Sequence, residues 1–337
     1  MSRFVETERK NQTLWVRLVN PPVNFLTADM LDELFHVFKE AEKDDAVRVV
    51  VLTGGIEDTF IMHFSIPELA RIVPDNRKSG LEALARTRAG RAALQFLTTA
   101  SSRLMDRLPA AEALSLSLAR RARVKNATLF LWLVMQRLYL YIERFPKITV
   151  AAINGPVNGG GMEISACFDF RFMVGDQGFG LGQPEVLIGI VPGGGGTQRV
   201  PRLIGLPRSL EWMLLGNLIT PEKAKAWGLL TDVFPKKGFT AKVQELCDLL
   251  SKRPPVAVDA IKKAARGALE TDIAAGLSLE LAGSLRCFAT KDAEKALEAY
   301  IRIIRERVEV PAEKRISAED LFDIMQNARF VDGFAGK

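Results

Sequence analysis

Between Ile148 and Phe170 the chain runs "ITVAAINGPVNGGGMEISACFDF": an apolar, β-branched stretch, a turn, three consecutive glycines, and a glutamate leading a second, largely apolar run. The first stretch reads as a strand buried on both faces, because its apolar residues do not alternate with polar ones. Glycine removes the Cβ, so the backbone can take positive φ and a partner can come up against the peptide N–H groups. Three glycines in a row also cost conformational entropy. Either that backbone packs tightly against something structural, or its N–H groups are aimed at a ligand.

The flanking sequence alternates strand and helix patterns. "TLWVRLV" and "VRVVVLTGG" are short apolar runs suited to buried strands, and "ADMLDELFHVFKEAEKD" between them has helical spacing. That combination predicts an α/β core. After about Leu206 the pattern turns helical almost throughout, interrupted by one expected strand, "LLTDVF". The expected organisation is a core over residues 1–205, a helical region over 206–305 that packs or assembles, and an extension over 306–337.

At 337 residues with 48% apolar and 26% charged residues, the chain can bury a full core. The polar start "MSRFVETERKNQ" has no signal-like apolar core, and "LFLWLVM" from Leu129 is too short to span a bilayer. Cys167, Cys247 and Cys287 are far apart and odd in number, so free thiols in a reducing, cytoplasmic setting are expected. The net charge of +6 is uneven: residues 70–126 hold twelve Lys or Arg against four Asp or Glu. This segment alternates Leu and Ala with Arg, as in "LEALARTRAGRAALQFL" and "LSLSLARRARVK", and reads as a basic helical insertion. A solvated face accounts for such a segment. CoA phosphates, an acidic carrier protein or a membrane surface are the other partners it would suit. Nucleic acid fits poorly, because Phe96 is the only aromatic there and single strands need stacking platforms.

Several chemistries are excluded by pattern. No window fits G-x-G-x-x-G or G-x-x-x-x-G-K-[ST], so "NGGGME" and "PGGGGTQR" carry neither the dinucleotide nor the P-loop fingerprint. With only His36 and His63 and no paired cysteines, no metal site is expected. A serine elbow is missing as well. Two glutamates remain in unusual settings. Glu163 follows Gly159, Gly160 and Gly161 where a strand gives way to a helix, so first-turn N–H groups should be free, an oxyanion hole in outline. Glu185 follows Pro184 in "GLGQPEVLIG". Two carboxylates meeting in one apolar pocket would push one toward its protonated form and so serve acid and base steps together. A glutamate in a first helical turn also serves simply as a dipole or capping partner.

The motifs "NPPVNFLTADMLDELF", "VRVVVLTGG", "ITVAAINGPVNGGGMEISACFDFRF", "FGLGQPEVLIGIVPGGGGTQRVPRLIG" and "LLGNLITPEKAKAWGLLTDVFP" occur in this order. In them the chain resembles the enoyl-CoA hydratase/isomerase, or crotonase, family over Asn20 to Pro235, and more loosely to about Arg305. The resemblance implies a spiral core of ββα units and a helical C-terminal assembly region. It implies an acyl-CoA substrate, coenzyme A entering only as part of that substrate with no separate cofactor, and a role in fatty acid and lipid metabolism. Homotrimers or dimers of trimers are implied too. The backbone N–H groups of Phe64 and Gly160 would form the oxyanion hole, and Glu163 and Glu185 would add water syn to a 2-enoyl-CoA. His63, Ile66, Gly159, Gly161, Pro184 and Gly193 would line the substrate site. Isomerase, acyl-CoA hydrolase and a weakly catalytic acyl-CoA or carrier-protein binder are the alternatives.

Two departures from the family pattern stand out. Its first oxyanion loop reads like F-x-A-G-x-D, whereas here "FIMHFSI" places His63 at the glycine and Ser65 at the aspartate. Histidine tolerates positive φ, so the loop can still form, with His63 as a structural residue, a substrate contact or a general acid. The chain is also about fifty residues longer than the family needs between Ser65 and Lys147, by comparison with that pattern, and the surplus is the basic segment. It would widen the acyl pocket, form a lid or dock a carrier protein. The extension from Val310 onward would reach a neighbouring subunit.

Overall fold

In the computed structural model, which describes residues 3–79, 81–107 and 127–336, one sheet takes up the strands β1 (Val5–Lys10), β2 (Thr13–Leu18), β3 (Val49–Gly54), β4 (Ile148–Ile153), β6 (Phe170–Val174) and β9 (Asp232–Phe234), in that spatial order. Only β1 runs antiparallel to its neighbour. A second, small sheet joins β5 (Val157–Asn158), β7 (Leu181–Gly182) and β8 (Leu218–Ile219). Twice in succession, at β4–β5 and β6–β7, the chain lays one strand in the large sheet, one in the small sheet, and then turns into a helix; β8 of the small sheet then precedes a helix and β9 of the large sheet. This is the expected spiral of ββα units.

The parallel strands read as continuous apolar runs because both faces are covered. Val16, Leu18, Val50, Leu52, Ala151 and Ile153 face a cluster shared with the helices α1 (Ala28–Lys43) and α5 (Ala127–Arg144). Trp15, Val49, Val51, Val150 and Ala152 point the other way, onto Phe239, Val243 and Cys247 of α10 (Phe239–Ser251). Helix α1 forms because its apolar residues recur at helical spacing, burying Leu31, Leu34, Phe35, Phe38 and Ala41, and because Thr27 caps the Met30 N–H.

Between β3 and α5 lie α2 (Ile66–Ser79), α3 (Leu81–Arg86) and α4 (Arg88–Arg107). They cover the first part of the basic segment and begin a little before it, at Ile66. The "LSLSLARRARVK" pattern, with Arg120, Arg121 and Arg123, lies outside the described residues. Beyond β5 come α6 (Gly160–Ser165), α7 (Gly196–Ile204), α8 (Leu206–Leu215) and α9 (Pro221–Trp227). After α10 follow α11 (Pro255–Gly267), α12 (Ile273–Phe288), α13 (Lys291–Ile303) and α14 (Ala318–Gln326). Helices α11 and α12 pair as a hairpin, and Ile273, Leu277, Leu281, Leu285 and Phe288 leave an apolar stripe exposed along α12. No helix among the described residues is long and apolar enough to cross a membrane.

Candidate active site

Three polar side chains bring the site segments together. Asn24, buried and at φ 52°, donates through Nδ2 to Leu18 O and Phe60 O, both at 2.9 Å, tying the end of β2 to the loop that opens at Phe60. Asn154 receives the Gly54 N–H at 3.0 Å and so joins the turns after β3 and β4. Thr53 donates its hydroxyl to Ala152 O at 2.8 Å beside it. The loop over residues 60–65 is then held from two sides. His63 O accepts from Leu26 N at 2.9 Å and Ser65 N donates to Leu26 O at 2.8 Å. Met62 O accepts from Asn158 N at 3.0 Å. The pairing with Leu26 uses the His63 carbonyl and the Ser65 N–H, so it leaves the Phe64 N–H out, and the Phe64 N lies 3.4 Å from where a Gly160 Cβ would be. Among the described residues neither the Phe64 nor the Gly160 N–H donates to another backbone group.

Each of the three glycines meets a different neighbour. Gly159 sits at φ 47°, and a Cβ there would lie 2.8 Å from Glu185 Oε1. At Gly160 a Cβ would come 3.1 Å from Phe64 Cβ and 3.4 Å from its N. Gly161 packs against the carbonyl of Ile61, where a Cβ would collide. All three are closely packed: Gly161 against the Ile61 carbonyl, Gly159 against the Glu185 carboxyl and Gly160 against Phe64.

Glu163, in the first turn of α6, is 3% exposed. Its Oε1 accepts the Gly196 N–H at 2.9 Å, so it caps α7, a different helix from its own. Burial, then the charge of Glu185, pushes the Glu163 carboxyl from 4.5 up to about 7, against the opposing pull of the Gly196 and Gly194 N–H groups. Glu185 begins a single 3-10 turn (Glu185–Ile188) and is raised by burial to about 7 as well. Its Oε2 is buried without a hydrogen-bond partner, as are Gln183 Oε1, Asn158 Oδ1 and the Tyr139 hydroxyl.

The remaining candidates are spread more widely. His63 stacks on Phe25, ring centroids 4.5 Å apart, and its Nδ1–H donates to Phe64 O at 2.7 Å. It is absent from the positive-φ positions, so histidine in place of glycine carries no backbone strain here. Ser65 caps the start of α2, accepting from Glu68 N, and Ile66 at the head of that helix is exposed. Pro184 precedes the Glu185 turn and accepts from Leu187 N at 2.9 Å. Gly193 is exposed and has only Val191 O near it; Gly194 and Gly196 are the glycines pressed against Glu163. Clefts of about 600 and 650 Å³ lie elsewhere, between α5 and α11 and between α11 and α12, and include neither glutamate.

The model of the enoyl-CoA hydratase/isomerase family matches residues 8–80 and 116–306. The chain belongs to that family.

The family match passes over residues 81–115, inside the basic segment. A short-chain-enoyl-CoA hydratase of Clostridium acetobutylicum is 26% identical over 87% of this chain and 93% of its own length. An enoyl-CoA isomerase/hydratase of Mycosarcoma maydis is 38% identical over 47% of this chain and 58% of its own. The crystal structure of an enoyl-CoA hydratase from Bacillus anthracis superposes with a TM-score of 0.67 at 24% identity, over 89% of this chain and 96% of that one, and shows the shared fold. One feature of this family member escaped the sequence: Arg199, whose guanidinium lies beside the Glu163 turn, and Glu143, which holds it. Nothing in the spacing of "YIERF" and "GTQRV" signals that they meet.

Proposed function

We propose that this family member is an enoyl-CoA hydratase. The observation that carries this is the pair of raised, buried carboxyls, Glu185 packed against Gly159 and Glu163 in the helical turn that follows it, with Phe64 packed against Gly160. Two carboxyls near 7 that repel each other hold about one proton between them at neutral pH, which is one base and one acid. With a 2-enoyl thioester bound, its carbonyl oxygen takes hydrogen bonds from the Phe64 and Gly160 N–H groups. The Glu163 carboxylate removes a proton from water as the water oxygen bonds to C3. Negative charge moves onto the thioester oxygen, and protonated Glu185 delivers its proton to C2. The product is a 3-hydroxyacyl-CoA. No step calls for a metal or a resident cofactor.

An isomerase would need the same oxyanion donors and proton carriers without the water, and the Mycosarcoma maydis relative is named for both reactions. Product mass separates the readings. Incubation with a short 2-enoyl-CoA should yield a product heavier by one water. Unchanged mass with a moved double bond would favour isomerisation, and free CoA hydrolysis. The proposal includes assembly as a homotrimer or dimer of trimers, supported by the exposed apolar stripe on α12 and by exposed Leu206, Leu210 and Leu214 on α8. Sedimentation velocity measures it. A cytoplasmic setting is supported by three unpaired cysteines.

A further inference from the structure

Arg199 is 9% exposed and forks onto one carboxylate: Nε donates to Glu143 Oε1 at 2.8 Å and Nη2 to Oε2 at 3.0 Å. Its third nitrogen, Nη1, donates to Gly194 O at 2.8 Å, and its backbone N–H closes the turn onto Gly195 O at 2.9 Å. Gly195 takes φ 101°, and the guanidinium occupies the place a Cβ would need. The next residue, Gly196, donates to Glu163. A continuous chain of bonds thus runs from the end of α5, through Glu143 and Arg199, into the turn that grips Glu163. A buried ion pair adds little net stability over apolar side chains of the same volume. What a planar fork supplies is direction.

We propose that Arg199, clamped by Glu143, is a positioning residue that fixes the Gly194–Gly196 turn and through it the orientation of the Glu163 carboxylate. The inference rests on the proposed hydration for its kinetic consequence and on geometry alone for the rest. Charge adds a second signature. The titratable or charged groups that face Glu163 are Glu185, Arg199 and the buried Tyr139 and Cys167. Those around Arg199 are Glu143, Tyr139 and Cys167, with Arg266 of α11 reaching Cys167 O. Arg199 favours the ionised form of Glu163, and Glu143 offsets part of that charge. Removing one or the other therefore moves Glu163 in opposite directions, which loss of packing alone does not do.

The test is a carbon-13 carboxyl NMR titration of the free, full-length protein, with Glu163 assigned through Glu163→Gln, alongside kcat and KM for a short 2-enoyl-CoA. Arg199→Met is expected to raise the Glu163 pKa by about one unit and Glu143→Gln to lower it by a smaller amount. Arg199→Met should lower kcat about 10- to 100-fold with KM within about threefold, and Arg199→Lys should restore the pKa but not all of kcat. Should Arg199→Met fail to fold, Arg199→Lys and Glu143→Gln carry the test: kcat down with the fork broken, and Glu163 shifted downward. Shifts in one shared direction, or unchanged Glu163 titration and kcat in all three variants, would overturn the inference. A wild-type protein that lacks hydratase activity but shows the opposed shifts would sink the proposed function and leave the positioning role standing.

Discussion

The segment carrying Glu163 is buried from Gly159 to Ser165 without a break, whereas the turn carrying Glu185 buries only the glutamate and leaves Val186, Leu187, Ile188, Ile190 and Val191 exposed. One carboxylate is placed by the core, with α7 capped by its oxygen. The other hangs from four residues of 3-10 helix that end at Gly189 with φ 74°. Both nevertheless carry a pKa raised to about 7. Similar proton affinity has been reached from unequal support, and the two positions should respond differently once they are disturbed.

The largest effect is expected from the carboxylates themselves. Glu163→Gln and Glu185→Gln should each fold as the wild type does and lower kcat for a short 2-enoyl-CoA about a thousandfold or more. Unequal losses, with Glu185→Gln close to wild type, would extend the asymmetry of support to the chemistry and confine the reaction to one glutamate.

Next comes the glycine between them. Gly159→Ala combines a φ of 47° with a Cβ 2.8 Å from Glu185 Oε1. A stability loss of about 1–3 kcal/mol and a 10- to 100-fold drop in kcat should follow. Gly178, at φ 72° with open space around it, is the control. Gly178→Ala should cost stability alone, as read by chemical denaturation and initial rates. Equal kinetic loss at both sites would mean that the contact with Glu185 is irrelevant.

A smaller effect concerns stability against pH. The folded state holds the Glu163 carboxyl at about 7, above its ordinary 4.5. It therefore binds the proton more tightly than the unfolded chain does. That contribution is fully present below pH 4.5 and is lost as pH rises through about 7. Glu163→Gln should remove its share of the slope, gaining on the order of 1–3 kcal/mol on the wild type between pH 5 and pH 8 in urea denaturation, while Glu185 keeps its own. The same offset at both pH values would contradict a raised Glu163. The smallest effect is expected at His63. Its ring stacks on Phe25, so His63→Gly should cost about 1 kcal/mol of stability and change kcat less than threefold. Loss of activity with an unaltered melting temperature would instead make the imidazole a participant.

The sheet strands β2, β3 and β4 and helix α1 were legible because uninterrupted or helically spaced apolar residues leave few alternatives. Strand β1, "VETERK", was not: an edge strand with mostly solvated side chains lacks that pattern. The two-residue strands of the small sheet exist only through long-range pairing, which local sequence does not encode. At the site, the glycine run pointed to the backbone around Glu163 and Glu185. It could not say which of four glycines after Pro192 would touch Glu163, because that depends on the φ of 101° at Gly195. Glu143 and Arg199 lie 56 residues apart and meet only in the folded chain, where their ion pair joins the end of α5 to α7.

Whether Glu163 and Glu185 act as one unit is tested most directly by the double variant Glu163→Gln/Glu185→Gln, assayed with both single variants for formation of 3-hydroxyacyl-CoA. If both serve one water addition, the double variant should be within a few-fold of the slower single variant, since the second substitution removes a step already lost. Losses that multiply, or near-wild-type turnover by either single variant, would show that the two carboxylates do not share a reaction.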